Sequence, residues 1–130
     1  MPFPISDDEV RKIETALGAT LPPTYRESMM QANGGTVEVD GDTWELFPLR
    51  DGSDRKRLSR TANHVLHETQ KAQEWPNYHE NAIAIAGDGS GDLLVLFQEG
   101  PEIRPQVFIW SHVDGSLQLT ANDFREIRRA

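Results

Sequence analysis

Cysteine is absent from the chain of 130 residues. A protein without cysteine cannot build a disulfide framework, and it cannot hold zinc or an iron–sulfur cluster through thiolates. This composition is typical of proteins from a reducing compartment, and we predict a cytoplasmic location. Some secreted bacterial proteins also lack cysteine, so the composition leaves that alternative open.

Long hydrophobic segments are also missing. The apolar run at residues 93–97 is five residues long, whereas a helix that spans a bilayer needs about 20. Residues 1–4 show neither the basic segment nor the apolar segment of a signal peptide. We therefore predict that the protein has no membrane partner and no targeting signal.

Basic residues are fewer than acidic residues in this chain. The chain has 13 lysine and arginine residues against 21 aspartate and glutamate residues, for a formal net charge of −8. Such a chain repels nucleic acid unless its basic residues are segregated, and we interpret the one basic cluster, at residues 55–60, as a solvated helix start. The acidic excess favours solubility, and it also favours fast encounter with a basic partner.

Two helices are predicted at the start of the chain. Ser6 and Glu9 form a capping box, apolar residues follow at helical spacing, and Gly18 stops the first helix, which we place at about 7–17. A second helix at about 23–32 begins at a proline pair and ends before glycines.

Strands are predicted on both sides of two glycine-containing turns. Residues 36–39 and 43–47 alternate around Asp40-Gly41, which indicates a β-hairpin. Further strands are predicted at 82–86, 93–97 and 106–110. The strand at 93–97 is apolar throughout, so we expect it to be covered on both faces and central in its sheet.

Two more helices complete the predicted order. Apolar residues at helical spacing predict a helix over about 56–75, closed by Pro76, and residues 120–123 are predicted to cap a last helix with Phe124 and Ile127 inward. The predicted fold class is α+β, an antiparallel sheet flanked by helices in the order α-α-β-β-α-β-β-β-α. No linker or repeat interrupts the chain, so we expect residues 1–130 to form one domain.

The segment 87–92, Gly-Asp-Gly-Ser-Gly-Asp, has the most unusual local sequence. It matches neither an EF-hand loop nor a phosphate-binding loop. Three interpretations remain open: a turn whose aspartates bond nearby amides, a binding surface, or a cation site formed by Asp88 and Asp92. We favour the turn and predict no metal.

Catalytic signals are weak. His64 and His67 have a spacing that can hold a metal, but a third ligand would have to come from elsewhere, such as Glu68 or His112, so we interpret the two as surface histidines. The chain has no cysteine nucleophile and no G-x-S-x-G elbow. We predict no enzymatic activity and no cofactor.

Tryptophan next to acids suggests a partner-binding surface. Of the three tryptophans, Trp110 ends an apolar strand and is predicted to lie in the core, whereas Trp44 lies in an acidic hairpin. An aromatic anchor among carboxylates combines a hot spot with electrostatic steering, although core packing of Trp44 is an equal alternative. The predicted partner-binding residues are Asp40, Asp42, Trp44, Glu45, Asp88 and Asp92.

The order of these pieces resembles the SUKH superfamily, which includes fungal cell-wall-synthesis regulators and bacterial immunity proteins. The resemblance covers about residues 6–127. It rests on Ile13-Glu14 with Leu17-Gly18, Leu21-Pro22-Pro23-Thr24-Tyr25, Asn33-Gly34-Gly35, the run from Ile85 to Asp92, the run from Val107 to His112, and Phe124-Arg125-Glu126-Ile127.

The resemblance implies a function as well as a fold. It implies an antiparallel sheet flanked by helices and a non-enzymatic protein-binding domain that, in bacteria, often neutralises a cognate toxin such as a nuclease or deaminase. The alternative is a regulatory scaffold that docks on a host protein complex, as in cell-wall synthesis. The chain has no long extension like that of the fungal regulators, which favours the immunity function.

Overall fold

A computed structural model describes residues 2–130 of the chain. Its elements, in chain order, are α1 (Asp7–Leu17), α2 (Pro23–Gln31), β1 (Thr36–Val39), β2 (Asp42–Leu46), α3 (Arg55–Arg60), α4 (Val65–Ala72), β3 (Ala82–Gly87), β4 (Leu93–Glu99), β5 (Glu102–Ile103), β6 (Val107–Trp110), β7 (Leu117–Ala121), a 3₁₀ helix (Phe124–Glu126) and β8 (Arg128–Arg129).

The two N-terminal helices are those predicted from the sequence. The Ser6 side chain accepts a hydrogen bond from the Glu9 backbone N–H at the start of α1, and Gly18 ends the helix with a φ of 69°. The second helix has proline in its first turn and ends at Gln31, one residue before the predicted end. Local capping signals were therefore sufficient to place both helices.

The strands form one antiparallel sheet in the order β7-β6-β4-β3-β2-β1-β8, with β5 paired to the far end of β4. This confirms the predicted α+β class with an antiparallel sheet. Strand β4 lies between β6 and β3, and its residues Leu94, Val95 and Leu96 are fully buried. The expectation that the apolar strand would be central is therefore confirmed.

The two faces of the sheet carry different cores. The larger core packs α1, α2 and α4 against one face and includes Leu94 and Leu96. Because side chains alternate along a strand, Val95 points to the other face, where it meets Ala82 and Trp110. Partly buried aromatic residues complete this second core: Tyr78, Phe97 and Phe108.

The helix predicted over 56–75 is wrong in extent, because two short helices, α3 and α4, take its place. The Thr61 hydroxyl bonds the Asp51 N–H and the Arg57 carbonyl, and His64 caps α4 by accepting from the His67 N–H. The Val65 N–H bonds the Pro48 carbonyl instead of continuing a helix. These bonds break the helix at residues 61–64, and Leu58 of the predicted apolar stripe stays 40% exposed.

The predicted last helix is also wrong. Residues 117–121 pair with β6 as the edge strand β7, and the Asp123 cap is followed by a single 3₁₀ turn before β8. Phe124 is buried as expected, but Arg129 extends back to α2. A helix was predicted to follow the cap at residues 120–123. Instead, residues 117–121 form a strand with β6, and Arg129 is held against α2.

Among the described residues, no helix has both the length and the apolar character needed to cross a bilayer.

Candidate partner-binding surface

Three turns meet at one end of the sheet. The β1–β2 turn lies next to the β3–β4 turn, because Glu45 pairs with Gly87 in an antiparallel register. The β6–β7 turn lies beside them, because Leu93 at the start of β4 pairs with Trp110 at the end of β6. The turns at 40–41, 88–92 and 111–116 therefore form one surface, which we call the turn end of the sheet.

The turn end is rich in carboxylates and poor in bases. The segments 36–49, 86–103 and 105–124 contain no lysine or arginine. Bases from outside these segments come close at two places: Arg128 of β8 pairs with Glu38 of β1, and Arg57 and Arg60 of α3 line a cleft together with Glu45. The carboxylates that these elements bring to this end are Glu38, Asp40, Asp42, Glu45, Asp88, Asp92 and Asp114.

The hairpin acids are free to meet a partner. Asp40, Asp42 and Glu45 are all exposed. Within the part of the chain that the structure describes, none of these three side chains takes part in a salt bridge. Asp40 and Gly41 both have positive φ, 53° and 83°, as a type I′ turn requires. The predicted hairpin is therefore confirmed, and its backbone presents Asp42 at the first position of β2.

The aspartates of the 87–92 turn bond nearby groups. Asp88 accepts hydrogen bonds from the N–H and the hydroxyl of Ser90, at 2.9 and 2.7 Å. The Oδ1 atom of Asp92 accepts from the His112 N–H at 3.1 Å and lies 2.6 Å from its Nδ1. This is the turn interpretation favoured from the sequence. Among residues 2–130, no group of three or more histidine, aspartate or glutamate side chains is arranged to hold a metal ion.

Gly91 lets the 87–92 turn approach His112. The φ of Gly91 is +116°, and a Cβ atom at this position would lie 2.9 Å from the imidazole Cγ. A side chain here would be strained by its backbone conformation and would also displace the ring that bonds Asp92. The lack of a side chain at Gly91 therefore allows the β3–β4 turn to contact the β6–β7 turn.

We expect Gly91→Ala to destabilise the protein by about 2 kcal/mol, the sum of left-handed backbone strain and a steric clash. Gly89→Ala is the matched control, because Gly89 also has positive φ, +89°, but nothing lies within 4 Å of the added Cβ. Urea unfolding of both variants measures the difference. An equal loss of stability in the two variants would show that the contact with His112 contributes nothing.

The loop after α4 adds an exposed tryptophan to the turn end. The Trp110 Nε1–H donates to the Asn77 carbonyl at 3.1 Å, and His79 Nε2 lies 3.3 Å from the Gly115 carbonyl. These contacts hold the loop over the second core. Trp75 packs edge-on against the rings of Trp110 and His112, at centroid distances of 6.3 and 5.6 Å, and stays 46% exposed.

Trp44 is not an exposed anchor, so this part of the predicted site is wrong. Its side chain is 3% exposed and belongs to the main core, where its indole N–H has no hydrogen-bond partner among the described residues. Alternation along β2 explains the burial, because Trp44 and Leu46 point inward while Thr43 and Glu45 face solvent. The core alternative considered for Trp44 is the correct one.

Trp75 and His112 were not among the predicted site residues. Trp75 lies between polar residues and Pro76, at the end of the predicted helix, and this polar setting was the available signal of exposure. The role of His112 depends on its contact with Asp92, 20 residues away in sequence. No local pattern contains that contact.

The other histidines have structural contacts. His64 caps α4 through its Nδ1 atom, which accepts from the His67 N–H at 3.2 Å, and the two imidazole rings are 6.0 Å apart. Burial is the main cause that lowers the pKa of His64, so its neutral form is favoured. His79 packs edge-on against Phe97. His67 is exposed, as the surface interpretation predicted, whereas His64 is partly buried.

A polar cleft of about 280 Å³ lies beside the turn end, between α3 and the N-terminal segment. Arg57 and Arg60 of α3 lie over the ring of Phe3, at 4.6 and 4.5 Å from its centroid. Arg57 also pairs with Asp54 at 2.6 Å and with Asp51 at 3.7 Å. Charges that neutralise each other in this way are typical of a structural network.

The sequence profile of the SMI1/KNR4 family (SUKH-1) matches residues 4–129. The chain therefore belongs to this family, as the resemblance of its motifs predicted. No curated protein matches the chain. Two of the motif pieces, the 87–92 turn and the 107–112 strand end, are joined in the structure by the Asp92–His112 contact.

Proposed function

We propose that this protein is a non-enzymatic binding domain that neutralises a toxin encoded beside its own gene. The observation that carries the proposal is the turn end of the sheet, a carboxylate-rich surface whose three segments lack lysine and arginine, in a member of the SMI1/KNR4 family. The resemblance to bacterial immunity proteins supplies the class of partner. The cytoplasm is the proposed place of action, where a toxin would meet its target.

The chemistry of the surface fits a toxin that acts on nucleic acid. The active cleft of such an enzyme is basic, because it must hold phosphates. Carboxylates at Asp42, Glu45 and Asp88 resemble those phosphates in charge, and those of Asp42 and Glu45 can each accept two hydrogen bonds from an arginine. A nuclease or deaminase domain is therefore the proposed partner, and occlusion of its cleft is the proposed mechanism.

We expect the double variant Asp42→Lys, Glu45→Lys to bind its toxin with an association rate lowered about tenfold at low salt. Exposed charges change the encounter rate more than the dissociation rate, and they change stability by only about 0.5 kcal/mol. Stopped-flow or surface-plasmon measurements at several salt concentrations give the rate and its salt dependence.

The matched control is Glu99→Lys, Glu102→Lys. Both residues are exposed and lie in the β4–β5 hairpin, at the opposite end of the sheet. Each double variant raises the formal net charge from −8 to −4, so a general charge effect would be the same in both. If the hairpin variant keeps the association rate and salt dependence of the unchanged protein, the turn end is not the recognition surface.

The proposed function is tested by co-expression. The C-terminal domain of a large multidomain gene immediately upstream is expressed in a bacterium, where we expect it to arrest growth. Simultaneous expression of this protein should restore growth, and the two proteins should copurify. Continued arrest, with folded protein present in the same cells, would contradict the immunity function.

A regulatory scaffold remains the second candidate, because the family match to SMI1/KNR4 supports it as well. A scaffold would use the same surface to dock on a host protein complex. The genomic neighbourhood separates the two functions: an adjacent toxin gene favours immunity, and its absence, together with copurification of a defined host complex, favours the scaffold.

A further inference from the structure

Strand β7 is an edge of the sheet that lacks the usual protection. Among the described residues, β7 pairs with β6 on one side and with no strand on the other. Protein edge strands are commonly blocked by charged residues or proline, because their free N–H and C=O groups can pair with another chain. Residues 117–121, Leu-Gln-Leu-Thr-Ala, contain neither.

Exposed apolar side chains cluster along this edge. Trp75, Val113, Leu117 and Leu119 are 46%, 76%, 37% and 50% exposed, and the remaining large exposed apolar residue, Leu58, lies in α3. Leu117 pairs with Trp110 and Leu119 with Phe108, so both leucines lie on the face of the second core. Trp75 packs on Trp110. Trp75, Leu117 and Leu119 therefore extend the second core toward the edge.

We propose that β7 receives an extended strand of the partner protein, which adds to the sheet by backbone hydrogen bonds. The apolar side chains of that strand would contact Leu117, Leu119 and Trp75. A lysine or arginine would lie at the end of the strand that is next to Asp114. This inference rests on the proposed function only in taking the partner protein to be the toxin.

The charge at the β7 edge distinguishes between two possible occupants, a strand of a partner protein and a second copy of the chain. Asp114 lies at the end where β7 begins, and the segment 105–124 contains no lysine or arginine; Asp92 lies at the same end, with the His112 ring 2.6 Å from its carboxylate. The Asp114 carboxylate accepts from the Ser116 N–H at 2.9 Å, which fixes it beside the first residue of β7. A second copy of the chain would bring another net charge of −8. A partner strand with a basic end complements this edge, whereas a second copy does not.

The probe for this surface is a synthetic seven-residue peptide of alternating valine and threonine with two lysines at one end. We expect the peptide to shift the backbone amide signals of residues 117–121 and the indole signal of Trp75 in ¹H–¹⁵N NMR spectra. A peptide methylated on alternate backbone nitrogens, or one with glutamates in place of the lysines, should bind at least tenfold more weakly, because strand addition needs backbone donors and a basic end.

Leu119→Lys is the test variant, since it places a charge on the edge at a position that is half exposed. Leu58→Lys is the matched control, with the same chemical change at the exposed apolar residue of α3. We expect Leu119→Lys, and not Leu58→Lys, to weaken peptide binding at least tenfold.

Three outcomes would overturn the inference: shifts that lie outside β7 and Trp75, no peptide binding at millimolar concentration, or a dimer of the unchanged protein that Leu119→Lys dissociates.

A binding measurement with the toxin domain separates this inference from the proposed function. If the toxin binds the unchanged protein and Leu119→Lys equally well, the strand addition is wrong and the immunity function stands. If no toxin binds while the peptide occupies β7, the immunity function fails and the edge site stands.

Discussion

Replacement of Trp110 by alanine is expected to destabilise the protein by about 4 kcal/mol, as is usual for a large aromatic residue in a core. Trp110 is fully buried, packs edge-on against Tyr78 at 5.1 Å, and donates its indole N–H to the Asn77 carbonyl. The substitution removes the centre of the second core and releases the loop that carries Trp75. Urea unfolding followed by circular dichroism measures the loss.

Trp75→Ala is the matched control for this prediction. Its side chain is 46% exposed and contacts Trp110 and His112 only through ring edges, so we expect a loss of stability of about 1 kcal/mol or less. Binding to the partner should instead weaken, by about tenfold or more, because exposed tryptophans at interfaces are frequent hot spots. A Trp75→Ala variant with full affinity would remove Trp75 from the proposed surface.

Arg129→Ala is expected to destabilise the protein by about 3 kcal/mol, because it leaves several partly buried carbonyls without a charged donor. The guanidinium donates to the carbonyls of Ser28, Ala32 and Gly34, at 3.1, 2.8 and 2.5 Å, and its Nε–H donates to the Ser28 hydroxyl. Its positive charge also lies at the negative end of α2. For a chain of this length, the melting temperature should fall by about 10 °C.

The neighbouring Arg128 provides the control for Arg129. Arg128 is exposed and pairs with Glu38 across the β8–β1 ladder, so Arg128→Ala should cost about 0.5 kcal/mol. Differential scanning calorimetry of both variants distinguishes a general loss of charge from the loss of the α2 contacts. Similar melting temperatures for the two variants would contradict this account of the C-terminal strand.

Elements that are specified by neighbouring residues could be predicted from the sequence. The Ser6 cap, the stop at Gly18 and the Asp40-Gly41 turn each act within a few residues, and the structure confirms all three. The second half of the predicted capping box is absent, because the Glu9 carboxylate accepts from Gly52 and Lys12 instead. The apolar strand at 93–97 was placed correctly for a similar reason, since its composition is that of a strand covered on both faces.

Elements that are specified by distant residues could not be predicted. The periodicity of apolar residues predicted one continuous helix through residues 61–64. In the structure, hydrogen bonds between Thr61 and Asp51 and between Val65 and Pro48 interrupt the helix there. Residues 120–123 were predicted to cap a last helix, but only one 3₁₀ turn follows Asp123, and Arg129, 101 residues from Ser28 in sequence, draws the following residues toward α2. Tertiary contacts overrode local preference in both segments.

The candidate site was predicted in part. The acidic turns at 40–42 and 88–92 could be recognised from composition, but their shared location depends on the pairing of β2 with β3, which no local pattern specifies. Trp44 was placed on the surface because its neighbours are acidic, although strand alternation buries it. An inward position of Trp44 between outward Thr43 and Glu45 is compatible with the same sequence, so only the structure decides.

The most direct test of the proposed surface is hydrogen–deuterium exchange of the protein alone and in complex with its toxin domain. We predict slower exchange in the complex at the turns 40–42, 88–92 and 111–116 and along β7, with α1 and α2 unchanged. Protection confined to α1 and α2, with the turn end and β7 exchanging as in the free protein, would contradict the account.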